Sequence, residues 1–347
     1  MKHHNRVNRP HAGNGWSYPR LERHPGAGTP KQVRDLQENF SSNAQPPVGG
    51  SVLVLLDGSS EAEHALPYAL AIAQRRGTIV HIVHIPSRFD PFGTGLTHSR
   101  SATNGHSQRD SREYLNTVVN RIDRTALVTV KATCISGPEA EDLFVKASAR
   151  ADLVVMSYRR RGLLRQFWCC SVADRVRRRL FTSLLLVDSY HSPADLIVDP
   201  IAQHILIPLD GSTVAERILA PVTTMSLQEG ARVTLLNVQN REWTNGTFEH
   251  TNPPGYLIGV ANKLKNTIPA VSAHVMTTDR SLASAITSFA EQRNVDLIAL
   301  ATHSDGAWAR LLRGSVAESL IRQTRLPLLL KRIDIEPQRP EITTVIE

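Results

Sequence analysis

Aromatic side chains are scarce in this 347-residue chain: Phe, Trp and Tyr together make up 5 %. Aliphatic residues, within a hydrophobic share of 41 %, must therefore fill any core. Cysteine is scarcer still, with only Cys134, Cys169 and Cys170. An odd count, with two neighbours that have no His or Cys at metal-ligand spacing, excludes a disulfide framework and a zinc site. No apolar run approaches the roughly 18 to 20 residues needed to cross a bilayer. The opening MKHHNRVNRP has no apolar segment of the secretory-signal type. These absences point to the cytoplasm. A Walker-type phosphate loop is missing, as is any evident nucleophile–base–acid set. The chain is therefore not expected to be an enzyme, with weak nucleotide hydrolysis left as an alternative.

Positive charge is in excess, at a formal +8. It permits contact with nucleic acid, anionic lipid or phosphate ligands and selects none of them. Much of it is concentrated in Arg159, Arg160, Arg161, Arg165, Arg175, Arg177, Arg178 and Arg179, offset only by Asp174. One reading of that cluster is an anion-binding face. The other, which is preferred, is a solvated helix face with snorkelling side-chain stems. Nucleic acid and membrane are not expected partners.

Residues 1–48 are rich in Gly, Pro, Asn, His and Arg without apolar periodicity and read as a disordered arm. His3 and His4 within it read as part of a solvated tail. Order is expected from residue 49, in a first domain over 49–189. A linker over 190–202, a second domain over 203–333 and a tail over 334–347 complete the chain. SVLVLL (51–56) is an apolar run of the buried-strand type. Ser59 or Ser60 can cap the helix after it, with Glu61 and Glu63 in its first turn and Gly77 as its stop. Strands are expected at TIVHIVHI, ALVTVKATCI, ADLVVMS and TSLLLVD. Helices are expected from Ser111 to Arg124, over 138–150 and over 171–180, with a long loop at 86–110. Strands alternating with helices imply a parallel sheet covered on both faces.

The pattern then starts again. A shift of 153 residues lays VLLDGSSEAE (54–63) on IPLDGSTVAE (207–216), Leu66 on Leu219 and Gly77 on Gly230. Further along the shift becomes 144: ADLVVMS (151–157) falls on VDLIALA (295–301), Ser171-Val172-Ala173-Asp174 on Ser315-Val316-Ala317-Glu318, and Leu184–Leu186 on Leu328–Leu330. Two constant shifts on either side of one loop are the signature of a duplicated domain. The nine extra residues of the first copy belong in its 86–110 loop.

Ligands of open parallel sheets bind beyond the carboxyl ends of the strands. Asp57-Gly58-Ser59 and Asp210-Gly211-Ser212 fall there. Such an Asp can accept hydrogen bonds from a ribose or base, or help hold a metal on a phosphate; it can equally be no more than a turn with an N-cap. In the second copy Gly314 and Ser315 open a helix, where free N–H groups can cradle an anion. Ser315 and Glu318 also have capping-box spacing. Trp168 and Trp308 read as covers for their loops rather than base-stacking groups, and His303 as a loop hydrogen-bonding residue rather than a catalytic base.

These residues resemble the universal stress protein family. Its pattern begins with a strand ending in Asp-Gly-Ser and closes with Gly-Thr-His-Gly, nine residues and Gly-Ser-Val-Ala-Glu, followed by a helix and a hydrophobic strand after a proline. The second copy carries Asp210-Gly211-Ser212, Thr302-His303, Gly314-Ser315-Val316-Ala317-Glu318 and Pro327. The first carries Asp57-Gly58-Ser59, Gly137-Pro138 and Ser171-Val172-Ala173-Asp174. The resemblance implies two tandem flavodoxin-like or Rossmann-like α/β domains of the adenine nucleotide alpha hydrolase type, each with a five-stranded parallel sheet. It also implies a stress-response regulatory role. ATP-binding members carry G-x2-G-x9-G-[S/T]. The second copy keeps the spacing as Ala301-x2-Ser304-x9-Gly314-Ser315, whereas the first has Ser157-x2-Arg160-x9-Cys170-Ser171 and no glycine at any of the three positions. By resemblance, Asp210, Val238, Ala301, Ser304, Gly314, Ser315 and Val316 would line a nucleotide: ATP with magnesium, AMP or a cyclic nucleotide. A nucleotide-free adaptor of the same fold is the alternative. Family members dimerise through the last strand, so the tandem is expected to make that pairing internally as a pseudo-dimer, with a homodimer as a further option.

Overall fold

The computed structural model describes residues 50–86, 106–136, 139–158, 176–177, 179–189, 193–200, 202–225, 231–240, 253–303 and 316–333. Ten strands form one sheet in the order β3-β2-β1-β4-β5-β10-β9-β6-β7-β8. The first copy supplies β1 (Ser51–Leu56), β2 (Ile79–His84), β3 (Val130–Cys134), β4 (Leu153–Tyr158) and β5 (Ser183–Asp188), all parallel. The second supplies β6 (His204–Pro208), β7 (Arg232–Asn240), β8 (Ala270–Thr278), β9 (Leu297–His303) and β10 (Leu328–Ile333), again all parallel. Of the two expected doubly wound orders, 3-2-1-4-5 is the Rossmann-like one. Its direction of winding reverses between β1 and β4, and between β6 and β9.

The helices are α1 (Ala65–Arg76), α2 (His106–Thr125), α3 (Ala140–Ser148), α4 (Thr213–Glu216), α5 (Leu219–Thr224), α6 (Pro253–Leu264), α7 (Leu282–Gln292) and α8 (Val316–Gln323). Strand alternation divides them into two layers. Val52, Val54 and Leu56 join Ile205 and Ile207 in a core beneath α1, α2 and α6. Leu53, Leu55 and Leu206 face the opposite core with Phe144 of α3, Ile286 of α7 and Leu320 of α8. Both faces are covered, which is why the strands read as unbroken apolar runs. No helix among the described residues is long and apolar enough to cross a membrane.

The local chemistry explains several boundaries. Gly77 stops α1 in the left-handed conformation, φ 60°, with the Thr78 N–H returning to the Ala73 carbonyl at 3.0 Å. The first helix does not run unbroken from its serine cap, as the sequence reading expects. Ala62–His64 form a 3-10 turn and α1 starts at Ala65. In the second copy α4 ends at Glu216 and α5 begins at Leu219. Pro67 and Pro221 each stand third in the following helix. Neither can donate to the carbonyl four residues back, so each helix must begin anew just before its proline. The helix expected from Ser111 begins five residues earlier, at His106, inside the expected loop, and the strand expected over 126–135 shortens to Val130–Cys134. The connection between β2 and α2 has 21 residues against 12 between β7 and α6, the nine-residue difference between the copies. The helix expected over 171–180 lies largely outside the described residues.

Within the linker, Leu196 and Ala202 are buried in the same core as α1, and Asp199 forms an ion pair with Arg75. The joint between the copies is packed against the first domain.

Candidate functional site

The two Asp-Gly-Ser turns are built alike. Asp210 Oδ1 accepts from the Ser212 N–H at 2.9 Å and from its hydroxyl at 2.7 Å. The Ser212 hydroxyl accepts from the Ala215 N–H at 3.1 Å, capping α4. In the first copy Asp57 Oδ1 takes the Ser59 N–H at 3.0 Å and its hydroxyl at 2.6 Å, and Ser59 receives the Ala62 N–H at 3.1 Å. Gly58 and Gly211 have φ of 91° and 95°, a conformation that L side chains rarely adopt. The turn-and-cap role of these motifs is therefore realised twice.

A second repeated bond fixes the neighbouring strand tip. The Asn237 amide donates to the Leu209 carbonyl at 2.8 Å, and His84, which falls on Asn237 under the 153-residue shift, contacts the Leu56 carbonyl through Nδ1 at 3.2 Å. Burial holds the His84 pKa below its ordinary value, against the opposing pull of that carbonyl and of Asp57. A tyrosine stands beside the turn in each copy. The Tyr114 hydroxyl is pushed well above its usual range by burial and by Glu63 and Asp57; Tyr256 is pushed the same way by burial, Glu216 and Asp210. Glu63 is paired with Arg121 at 2.6 Å. These tyrosine–glutamate neighbours were not identified from sequence, because 51 and 40 residues separate the partners.

In the second copy a crevice opens at the carboxyl ends of the strands on either side of the switch point. Pro208, Leu209 and Asp210 line it from the end of β6, Leu236 and Val238 from β7, and Leu300, Ala301 and Thr302 from β9. Val214 and Ala215 of α4, Leu282 and Ile286 of α7, and Val316 and Ala317 at the start of α8 close its walls. Of the seven residues expected to line a nucleotide, Asp210, Val238, Ala301 and Val316 come together here. Ser304, Gly314 and Ser315 lie outside the described residues. Leu282 and Ile286 of α7 had no motif to announce them; their only signal was the apolar face that helix turns inward.

The first copy differs at the same place. The Ser157 hydroxyl donates to the Glu61 carbonyl, tying the tip of β4 to the turn after β1. Under the two repeat shifts these residues correspond to Ala301 and Val214, both walls of the second-copy crevice. A polar bond thus spans the position that lies open in the second copy.

Other expected features fall into place or out of view. Arg177 lies 3.9 Å from Glu318 of α8, and Arg179 is 2.5 Å from Asp142. These two members of the arginine cluster have acidic neighbours; the other six lie outside the described residues. So do Trp168, Trp308, Cys169, Cys170, His3 and His4, and the side chain of His303. Cys134 is half-buried and its thiol pKa is raised by burial. Among the described residues no group of three or more His, Cys, Asp or Glu side chains could hold a metal ion.

A duplicated Rossmann-like sheet with a crevice at its switch point defines a protein of the doubly wound α/β class. The model of the universal stress protein family matches residues 50–188 and again 202–332, and the chain belongs to that family. It is similar to universal stress proteins of Mycobacterium tuberculosis and Mycobacterium bovis, 22 % identical over 299 residues that cover 81 % of this chain and 96 % of theirs. Among solved structures it resembles a universal stress protein from Archaeoglobus fulgidus, with a TM-score of 0.59 at 17 % identity over 82 % of this chain and 96 % of that one. It also resembles a universal stress protein from Pseudomonas aeruginosa, with a TM-score of 0.52 at 13 % identity over 82 % and 94 %.

Proposed function

We propose that this tandem universal stress protein is a stress-response regulator whose second domain binds an adenine nucleotide, ATP or AMP, and whose first domain does not. The observation that carries the reading is the crevice bounded by Asp210, Val238, Ala301 and Val316 at the switch point of β6 and β9. Apolar walls suit the faces of a base, Asp210 offers an acceptor at one end, and the start of α8 turns the positive end of a helix dipole toward an anion. The chemistry asked of these residues is recognition rather than catalysis. In the first domain the Ser157–Glu61 bond occupies the corresponding gap.

The same helix that borders the crevice touches the other domain. Glu318 lies near Arg177, and the carbonyl of Thr324, just past α8, accepts from the Tyr158 hydroxyl at 3.4 Å. A ligand that favours one position of α8 would shift the population of first-domain surfaces. The nucleotide-free adaptor is favoured by one observation: Asp210 Oδ1 already receives two bonds from Ser212.

Calorimetric titration of the full chain with ATP and with AMP, alongside mass spectrometry of the natively purified protein, tests the reading. One nucleotide per chain is expected, with binding abolished by Ala301→Phe and retained in Asp57→Ala. A flat titration with no co-purified nucleotide leaves the adaptor.

A further inference from the structure

The two outer edges of the ten-stranded sheet occupy equivalent places in the repeat and are built in opposite ways. At the first, β3 has five residues with Lys131 exposed in their midst. The α2 helix beside it carries Arg109, Asp110, Arg112, Glu113, Asp123 and Arg124. A short strand and a charged surround are how proteins keep a sheet edge from pairing with another chain. At the second, β8 runs for nine residues, AVSAHVMTT, without a charge. It pairs with β7 along its full length, Arg232↔Ala270 to Asn240↔Thr278, and with no other strand among the described residues.

The helix over that edge is equally undefended. The twelve residues of α6 carry one charge, Lys263. Its outward side shows Gly255, Ile258, Gly259 and Asn262, with Ile258 55 % exposed. Strand alternation puts Val275, 39 % exposed, on the face of β8 that α6 covers, since Val271 packs into the core of Leu257 and Val260. Gly259 is not required by the chain's own packing: a Cβ there would meet nothing within 4 Å. Glycine inside a helix is destabilising by about 1 kcal/mol relative to alanine, so its presence is best explained by a surface that approaches from outside.

We propose that β8 and α6 form a homodimer interface, in which β8 pairs antiparallel with β8 of a second copy and the two α6 helices lie side by side. The partner follows from the pattern of charge and from the fold. Self-pairing sets an uncharged strand against an uncharged strand. Antiparallel pairing about a two-fold axis normal to the sheet keeps α6 on the same face as its twin. The β5–β10 junction already uses that geometry, leaving the helices of both domains in common layers. The dimer would extend the sheet from ten strands to twenty at an edge separate from the last-strand junction.

Size-exclusion chromatography with light scattering, run on the full chain across the micromolar range, gives the mass, and amide hydrogen exchange reports on β8. Twice the single-chain mass is expected, with β8 amides that become protected as concentration rises. Val275→Lys places two like charges near the axis and should raise the dissociation constant at least about tenfold. Gly259→Leu should do the same while raising the melting temperature of the monomer, since it improves an exposed helix, a combination that damage to the fold would not produce. A single-chain mass at every concentration overturns the proposal, as does a dimer insensitive to both substitutions. So does β8 protection independent of concentration, which would mean that the chain covers its own edge.

Discussion

Leu185 of β5 stands opposite Leu329 of β10, its own counterpart under the 144-residue repeat. On either side Leu184 faces Leu330, the counterpart of Leu186, and Leu186 faces Leu328, the counterpart of Leu184. A pseudo-two-fold axis therefore passes between Leu185 and Leu329, and the duplicated chain closes on itself as an isologous dimer would. Both side chains are at most 1 % exposed.

It follows that the domains share their stability. Leu329→Ala should cost about 3.5 kcal/mol, the middle of the range for a buried leucine. The loss should appear in both halves, as one urea transition moved to lower midpoint with an unchanged slope. Two wild-type transitions, only one of them moved by the substitution, would show that the halves fold independently.

Ser157 and Ala301 occupy the same strand position and differ by one hydroxyl. Ala301→Ser offers the second domain the bond that Ser157 makes to the Glu61 carbonyl, here toward Val214. Calorimetry should then show ATP affinity falling several-fold. Ser157→Ala removes one hydrogen bond and should cost about 1 kcal/mol of stability while leaving ATP affinity unchanged. Loss of nucleotide binding in Ser157→Ala, with the second domain untouched, would place the ligand in the first domain instead.

The fold was largely legible because it depends on period. Unbroken aliphatic runs such as SVLVLL alternate with amphipathic stretches, and the repeat gives the pattern twice. Asp57 and Asp210 could be placed at strand tips because the Asp-Gly-Ser turn follows each first strand directly. What stayed hidden depends on distance in space rather than along the chain. Nothing near Tyr256 announces Glu216, and nothing near Ser157 announces the Glu61 carbonyl. The interrupted first helices could have been read from Pro67 and Pro221, but the clash each creates lies four residues back, inside a stretch whose capping serine and acidic first turn argue for an unbroken helix.

Asp199 anchors the linker to Arg75, whose side chain is 24 % exposed against 10 % for the aspartate. Burial lowers the Arg75 pKa while Asp199 opposes it, so loss of the aspartate would leave a partly desolvated guanidinium. Asp199→Ala should cost roughly 2 kcal/mol, between the values for exposed and buried pairs. Proteolysis within residues 190–202 should also become faster, because the linker loses its tie to α1. An unchanged urea midpoint together with an unchanged cleavage rate would count against this anchoring role.

His81 sets an acid limit on the first domain. It lies on β2, hydrogen-bonds Thr133 of β3 at 3.0 Å, and has its pKa lowered to about 4 by burial, with Lys131 adding repulsion. Below its ordinary pKa of about 6.5 the unfolded chain takes up a proton that the folded chain refuses, so stability must fall as pH falls. The window runs from pH 6.5 down to about 4, where the folded histidine titrates as well. Within it the loss from this side chain approaches 1.4 kcal/mol per pH unit. His84 and His204, also lowered chiefly by burial, add in the same direction. Urea midpoints measured from pH 7.5 to 4.5 should decline steadily, and His81→Gln, which cannot titrate, should flatten the slope even if it lowers stability at pH 7.5. An identical slope in that variant would mean that His81 is protonated in the folded protein, and that the packing of β2 against β3 admits water.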